Sequence, residues 1–363
     1  MSDQAATPDV RFQAVSKSYG KSLAVKNLTL AIPKGSFFSL LGPSGCGKTT
    51  TLRLIAGFEL ADEGEIFIRE TRVTQVVPYQ RDFAMVFQNF ALFPHLSVAD
   101  NVAFGLRMSG VAREDRRKAV AAALDMVKLG SFAERFPKQL SGGQQQRVAI
   151  ARAIVMKPAV LLLDEPLGAL DKNLRESMQG ELRALQRDLK MTTVFVTHDQ
   201  EEALTMSDQI AVMRDGVIEQ IGAPRDIYER PATDFVATFL GASNLIDATV
   251  IGTEENNALA ESTFGRFPVP GSHATGARLR LAIRPERVRI TRGATSEGAA
   301  ATVRDVIYRG MNAHITLDLN GQAVAAIVQN SGDAAIDLAI GESVGVLFPP
   351  ENICVLGGGG PNG

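Results

Sequence analysis

The stretch "SFFSLLGPSGCGKTTTLRLIAG" (36–57) passes from a largely apolar run through a glycine-rich turn into an amphipathic pattern. The run 36–42 predicts a buried strand of the kind that sits centrally in a parallel sheet covered by helices. The turn fits G-x-x-x-x-G-K-[ST], with Gly42, Gly47, Lys48 and Thr49 in the fixed places. Glycines let backbone N–H groups curl around phosphate oxygens, so the whole loop is a candidate phosphate cradle. It comprises Gly42, Pro43, Ser44, Gly45, Cys46, Gly47, Lys48, Thr49 and Thr50. Lys48 can reach β- and γ-phosphates, and the Thr49 hydroxyl suits Mg²⁺. An ordinary strand-to-helix turn leaves the Lys48-Thr49 pair unexplained.

Working outward, "AVLLLDEP" (159–166) and "TTVFVTH" (192–198) predict two more buried strands. Between them Leu174, Met178, Leu182, Leu185 and Leu189 fall on one helical face. The layout over the first 235 or so residues is α/β with a mostly parallel sheet. Residues 97–156 are helix-rich, with an apolar stripe of Val120, Leu124 and Val127 and an i,i+4 pair of Glu114 and Lys118. They predict a helical subdomain, about 89–156, inserted between strands. Beyond about 240 short β-rich segments recur, among them "LRLAI" (279–283), "ERVRI" (286–290), "TVRDVIY" (302–308) and "ESVGVLF" (342–348). They predict a small all-β barrel or sandwich. The expected domains are 1–240 and 241–363, with disordered tails at 1–7 and 357–363.

Two acids end the strand of 159–166. Asp164 suits Mg²⁺, and Glu165 can polarise an attacking water as general base. His198 follows another apolar strand, where ligands of open α/β sheets gather, and is a candidate for the γ-phosphate. Gln88, in "VFQNFALFPHLSV" (86–98), sits just past an apolar run at the entry to the helical subdomain; a lone glutamine there reads as surface, and a reach to Mg²⁺ or the water rests on the resemblance given below. Tyr19 either stacks on adenine or packs at its turn; spacing alone leaves both open.

A second loop, "LSGGQQQRVAIARAI" (140–154), opens onto a helix. Ser141 with Gln144 matches a capping box. Gly142 and Gly143 keep side chains away from the helix mouth, which suits an anion. One ATP already has its loop at 42–49. A second γ-phosphate grip makes sense if it serves an ATP held by another copy, so that two chains packed head to tail share two ATPs.

Composition bounds the rest. The chain has 363 residues, is 45% hydrophobic and 21% charged, and carries a formal net charge of −2. That balance gives no sign of bulk nucleic-acid binding. Two cysteines are too few for a disulfide framework. No run approaches the ~18–20 apolar residues that cross a bilayer. A cytosolic chain that meets membranes through partners is expected. Cys46, inside the loop, is expected to be a thiol whose modification blocks ATP binding.

Together these residues resemble the ATP-binding subunits of ABC transporters over about 8–240. "GPSGCGKTT" looks like Walker A, "LLLDE" (161–165) like Walker B with catalytic Glu165, and "LSGGQ" (140–144) like the signature. Gln88 falls at the Q-loop, "GALD" (168–171) with Asp171 at the D-loop, His198 at the switch and Tyr19 at the adenine-stacking position. The tail, above all "LAIRPERVRI" (281–290), is similar to the OB-like TOBE regulatory domain of importer ATPases. The resemblance implies a P-loop NTPase with catalytic Glu165, His198, Gln88 and Lys48. It implies ATP and Mg²⁺ as cofactors, the metal held by Thr49, Gln88 and Asp164. It further implies a homodimer, two integral membrane permease subunits and an external solute-binding protein, with no nucleic acid. The chain would be peripheral on the cytoplasmic face of the inner membrane. Residues 90–96 would line the groove for a permease helix. Stretches 90–108 and 198–216 look most like spermidine/putrescine import ATPases; iron(III), sugar, sulfate and phosphonate importers are similar there. A soluble ABC ATPase acting on DNA or ribosomes lacks support, since there is no coiled-coil insertion and no basic block.

Overall fold

The computed structural model describes residues 7–168, 170–241, 243–254, 257–292, 298–330 and 338–357. The expected tails therefore lie outside the described residues save for Thr7 and Gly357, as does Ala169 of the "GALD" segment. The chain divides into two compact units, Met1–Pro224 and Arg225–Gly363.

The first unit has strands β1 (Val10–Tyr19), β2 (Ser22–Ile32), β3 (Phe37–Leu41), β4 (Glu63–Ile68) and β5 (Thr71–Arg72). They continue with β6 (Phe83–Val86), β7 (Val160–Asp164), β8 (Thr192–Thr197), β9 (Gln209–Arg214) and β10 (Val217–Gly222). Among the described residues these form two sheets. One is ordered β10-β9-β3-β8-β7-β6, parallel from β9 to β6, with β10 antiparallel on its edge. This is the mostly parallel sheet that the apolar runs predict. Its strands are apolar on both faces because both are covered. Phe37, Leu161, Leu163 and Phe195 enter one core, and Phe38, Leu40, Leu162 and Val194 the other.

The second sheet, β2-β1-β4-β5, is antiparallel and was not legible in the sequence. Bulges in β1, with Ala14 at φ 50°, break the period-two alternation that would reveal the strand.

The helices are α1 (Lys48–Ala56), α2 (Val98–Met108), α3 (Arg113–Met126), α4 (Gly142–Ile154), α5 (Lys172–Leu189) and α6 (Gln200–Met206). Between β6 and β7 the described residues carry helices and no strand, as expected of the helical insertion. Val120, Leu124 and Val127 are buried, and Lys118 Nζ pairs with Glu114 at 2.9 Å. On α5, Met178 and Leu182 are buried, but Leu189 is exposed because the helix ends there and Lys190 turns left-handed. Gln186, which the apolar stripe skips, is buried and donates to Gly35 O and Met191 O, both at 2.8 Å.

The helix after the phosphate loop is anchored at its far end by Arg81. Its guanidinium donates to Leu54 O (2.7 Å) and Ile55 O (2.8 Å), carbonyls that a helix terminus leaves unpaired, and to Val76 O (2.8 Å) of the loop beyond β5. Burial pulls its pKa down to about 10.

The second unit has β11 (Asn244–Glu254), β12 (Asn257–Ser262), β13 (Gly265–Pro270), β14 (Arg278–Ile283) and β15 (Arg289–Arg292). It continues with β16 (Ala299–Tyr308), β17 (Asn312–Leu319), β18 (Gln322–Gln329), β19 (Ser343–Leu347) and β20 (Ile353–Leu356). Among the described residues two antiparallel sheets, β13-β12-β11-β14-β20 and β15-β19-β16-β17-β18, share one core that includes Ile246, Leu281, Ile315 and Val346. The segment "ERVRI" is only partly strand: Pro285–Arg287 form a 3-10 turn and β15 starts at Arg289. Proline has no N–H for a ladder, which delays the strand. The compact units meet in sequence at Pro224/Arg225. Residues 228–241 are gripped by Arg284, which donates to Tyr228 O (2.9 Å), Ala237 O (2.9 Å) and Leu240 O (3.0 Å).

Candidate functional site

The phosphate loop leaves the buried β3 at Gly42. A Cβ there would lie 2.3 Å from Met213 O and 2.7 Å from Cys46 Sγ, so only glycine fits. Gly47, at φ 106°, is equally confined: a Cβ would come within 2.4 Å of Ala24 O. Gly45, at φ 81°, has open space where its Cβ would be. The loop is thus packed shut on its protein side and open at its crest, where Ser44 and Gly45 are exposed. Lys48 Nζ curls into the ring and donates to Gly42 O (2.8 Å) and Pro43 O (2.9 Å). Thr51 Oγ1 donates to Gly47 O at 3.0 Å, fixing the first turn of α1. Thr49 and Thr50 are half-buried.

Cys46, the thiol whose modification is expected to block ATP binding, is packed inside the loop. It is 3% exposed, and burial pushes its thiol up despite the charge of Lys48 nearby. A thiol of that kind reacts slowly.

Tyr19 ends β1 half in solvent, at 46% exposure. Burial, and then Glu59, raise its hydroxyl, while a hydrogen bond with Thr50 of the loop lowers it. The Lys17 ammonium lies 5.6 Å from its ring centroid. The ring therefore stands beside the loop with an aromatic face partly in solvent.

Asp164, at the end of β7, accepts from Thr49 Oγ1 at 3.4 Å. Burial, then the neighbouring Glu165, push its carboxyl above the usual range, against Thr49, Arg53 and Lys48. Glu165 is strained, a non-glycine residue at φ 45°. Its N–H donates to Val196 O at 3.1 Å, and its carbonyl accepts from Gly168 N at 3.2 Å. These bonds aim its carboxylate at His198, whose Nδ1 lies 3.2 Å from Glu165 Oε2. Gln88 is exposed beyond β6, and its amide nitrogen lies 3.8 Å from the place of a Cβ on Gly168. Thr49, Asp164, Glu165 and His198 thus meet from three elements, while Gln88 stands beside Gly168.

The second loop forms a separate cluster. Ser141 Oγ accepts from Gln144 N at 3.4 Å, and Ser141 N donates to Gln144 Oε1 at 3.0 Å, a complete capping box. Ser141 and Gly142 are exposed at the mouth of α4. Gly143 serves packing: its Cβ would meet the Leu174 methyls at 3.0 and 3.1 Å. It brings α4 against the first turn of α5, which Asp171 caps by accepting from Leu174 N at 3.0 Å.

Residues 90–96 are a tightly built loop. Phe90 and Ala91 have positive φ and their carbonyls accept from Arg152, at 2.8 and 2.7 Å. Asn101 closes the loop on Phe93 and Leu96. Phe90 is buried, whereas Ala91, Pro94 and His95 face out.

The sequence reading missed Arg175, which joins the two clusters. It donates to Leu170 O at 3.0 Å and to Asp199 Oδ2 at 3.4 Å. The dense charges of "THDQEE" (197–202) were the available signal.

The residues fit ATP with Mg²⁺. The open crest at Gly45 and the buried ammonium of Lys48 suit phosphates. Thr49 and Asp164 offer two oxygens side by side, the small protein share that Mg²⁺ takes when substrate phosphate completes its shell.

Comparison with known proteins agrees. Residues 25–168 match the ABC transporter family and residues 281–356 the TOBE domain. A spermidine/putrescine import ATP-binding protein of Rubrobacter xylanophilus is 48% identical over 96% of this chain and 94% of its own. That of Ruegeria pomeroyi is 47% identical over 98% of both. A dimeric ATP-binding cassette solved in a post-hydrolysis state with ADP and Pi is 36% identical, with a TM-score of 0.54, over 60% of this chain and 99% of that one. Because these likenesses run along nearly the whole chain and span both the glycine-rich loop and the acid pair, the chain belongs to the ABC transporter family, as an ATP-binding ATPase cassette followed by an OB-like TOBE domain.

Proposed function

We propose that this chain is the ATP-hydrolysing motor of an importer for polyamines, spermidine or putrescine. The observation that carries the motor reading is the Glu165–His198 contact of 3.2 Å beside the Thr49–Asp164 pair. Cargo is inferred from relatives named for spermidine/putrescine import at 46–48% identity along nearly the whole chain.

In this reading Lys48 exchanges the carbonyls of Gly42 and Pro43 for β- and γ-phosphate oxygens. The N–H groups of the loop hold the same phosphates, and Tyr19 stacks on the adenine. Glu165 takes a proton from the attacking water as general base. His198 keeps that carboxylate aimed and meets the γ-phosphate; Gln88 orients the water. Thr49, Asp164 and Gln88 would hold Mg²⁺, which supplies charge neutralisation on the phosphates. Ser141, Gly142, Gly143 and Gln144 close over the ATP of a second copy, with Asp171 at the seam. Two permease subunits, docked near residues 90–96, and an external solute-binding protein complete the machine at the cytoplasmic face of the membrane. Among the described residues no helix is long and apolar enough to cross a membrane, which suits a peripheral subunit. Residues 1–240 are the cassette and 241–363 the regulatory unit.

Uptake of labelled spermidine tests this. Cells lacking the chain should regain uptake with the wild type and not with Glu165→Gln. Restored uptake of another solute class, with polyamine uptake unchanged, would keep the motor and replace the cargo.

A further inference from the structure

His198 has to present its ring, 59% exposed on its side chain, at a fixed distance from Glu165. Most of the ring is open to solvent, so its neighbours in the chain carry much of the constraint. Thr197 Oγ1 donates to Glu202 Oε2 at 2.6 Å and accepts from Asp199 N at 2.9 Å. Asp199 Oδ1 caps α6, accepting from Glu201 N (2.8 Å) and Glu202 N (3.2 Å). Both flanks of His198 are therefore pinned, and both lead to one guanidinium. Arg175 Nη1 is 3.4 Å from Asp199 Oδ2, and its Nε is 3.8 Å from Glu202 Oε1, a carboxylate only 4% exposed. The third arm, Nη2, donates to Leu170 O at 3.0 Å, inside the segment 168–171 that Asp171 closes.

The pattern is unlike a surface ion pair. Burial raises the Glu202 carboxyl while Thr197, then Arg175 and His198, lower it. A buried carboxylate is costly without a partner: Thr197 Oγ1 hydrogen-bonds Glu202, and Arg175 adds its positive charge at 3.8 Å. The planar fork donates to a carbonyl and one carboxylate, while its Nε, with no hydrogen bond among the described residues, lies within ionic reach of a second, a geometry that a lysine cannot reproduce.

We infer that Arg175 is a positioning residue: it makes the segment 168–171 and the switch residue His198 move as one body. A shift of Leu170 when the second copy engages the seam would then carry His198 relative to Glu165, coupling one site to the other. The inference rests on the catalytic roles proposed above for Glu165 and His198. Misplacement of a catalytic group by an ångström costs about a hundredfold, so breaking the brace should lower turnover and spare binding.

The test uses the full-length chain. Turnover, KM, affinity for a fluorescent ATP analogue and thermal midpoint are measured for Arg175→Ala, Arg175→Lys, His198→Ala and the double variant Arg175→Ala/His198→Ala. Arg175→Ala should lower kcat by about 10- to 100-fold with affinity held within about threefold, and Arg175→Lys should recover only part. On the His198→Ala background the loss of Arg175 should cost less than about twofold, because it acts through that histidine. Multiplicative losses, or full kcat in Arg175→Ala beside an inactive His198→Ala, would overturn the inference alone. Full turnover in His198→Ala would instead overturn the role of His198, and the inference with it. Should Arg175→Ala fail to fold, Asp199→Asn carries the same test, since asparagine keeps the α6 cap while removing the charge that Arg175 grips.

Discussion

His198 Nδ1 lies 3.2 Å from Glu165 Oε2, bridging the carboxyl ends of the adjacent parallel strands β7 and β8. The sheet brings them near each other: Asp164 and Val196 are in register, and Glu165 and His198 stand one and two residues beyond that pair. Glu165 accepts the strain of φ 45° to make that contact. If the carboxylate is the base and the imidazole its guide, Glu165→Gln and His198→Ala should each lower turnover by about 10²-fold or more, with ATP affinity nearly unchanged. Single-turnover hydrolysis with an independent binding titration checks this. An unaltered rate for Glu165→Gln would remove it as the base.

The loop glycines are not equivalent. Gly47→Ala drives a Cβ to 2.4 Å from Ala24 O, a backbone atom with nowhere to go. Gly45→Ala adds a Cβ in open space and carries only the left-handed strain, about 1–2 kcal/mol. Denaturant unfolding without nucleotide should show Gly47→Ala less stable than Gly45→Ala by about 1–3 kcal/mol. Equal losses would mean the packed side of the loop yields more readily than its contacts imply.

Asp164 is raised by burial and by Glu165. The folded state therefore holds its proton more tightly than the unfolded one. The stability linked to that proton is complete below the unfolded carboxylate range and is lost as pH rises through the raised value. At neutral pH the naked carboxylate is a net cost. Asp164→Asn should raise the nucleotide-free thermal midpoint at pH 7–8, by about 2–4 °C for each kcal/mol relieved. The gain should shrink as pH falls through the carboxylate range, and the variant should lose the stabilisation that ATP with Mg²⁺ confers. Calorimetry at several pH values reads both.

Cys46 and Cys354 should separate by access. Cys46 is buried, whereas Cys354 is half-buried. A thiol reagent under native conditions should label Cys354 first, and Cys46→Ala should leave the fast phase unchanged. Peptide mapping after brief labelling decides it; fast modification at Cys46 would show that the loop opens without nucleotide.

The parts legible in the sequence were those whose chemistry is local. A phosphate loop is contiguous, and β7 and β8 declare themselves by being apolar on both faces. The capping box of Ser141 and Gln144 is likewise read from four residues. What stayed hidden depends on distant partners. β1 and β2 carry bulges that blur their alternation, and their sheet exists through pairing with β4. Gly143 looked like room for an anion, but its missing side chain makes way for Leu174, on another helix. Arg175 was signalled only by the dense charges of the distant 197–202, because its neighbours come from two segments brought together by the fold.

In the proposed machine each ATP is shared, with the loop of 42–50 from one copy and Ser141–Gln144 from another. Sedimentation of the full-length Glu165→Gln chain, with and without ATP and Mg²⁺, is the decisive experiment. A monomer should become a dimer on adding ATP, and Ser141→Arg in the same background should stay monomeric while binding ATP as tightly as before. A chain that stays monomeric with ATP bound, or a Ser141→Arg variant that dimerises normally, would rule out the shared sites.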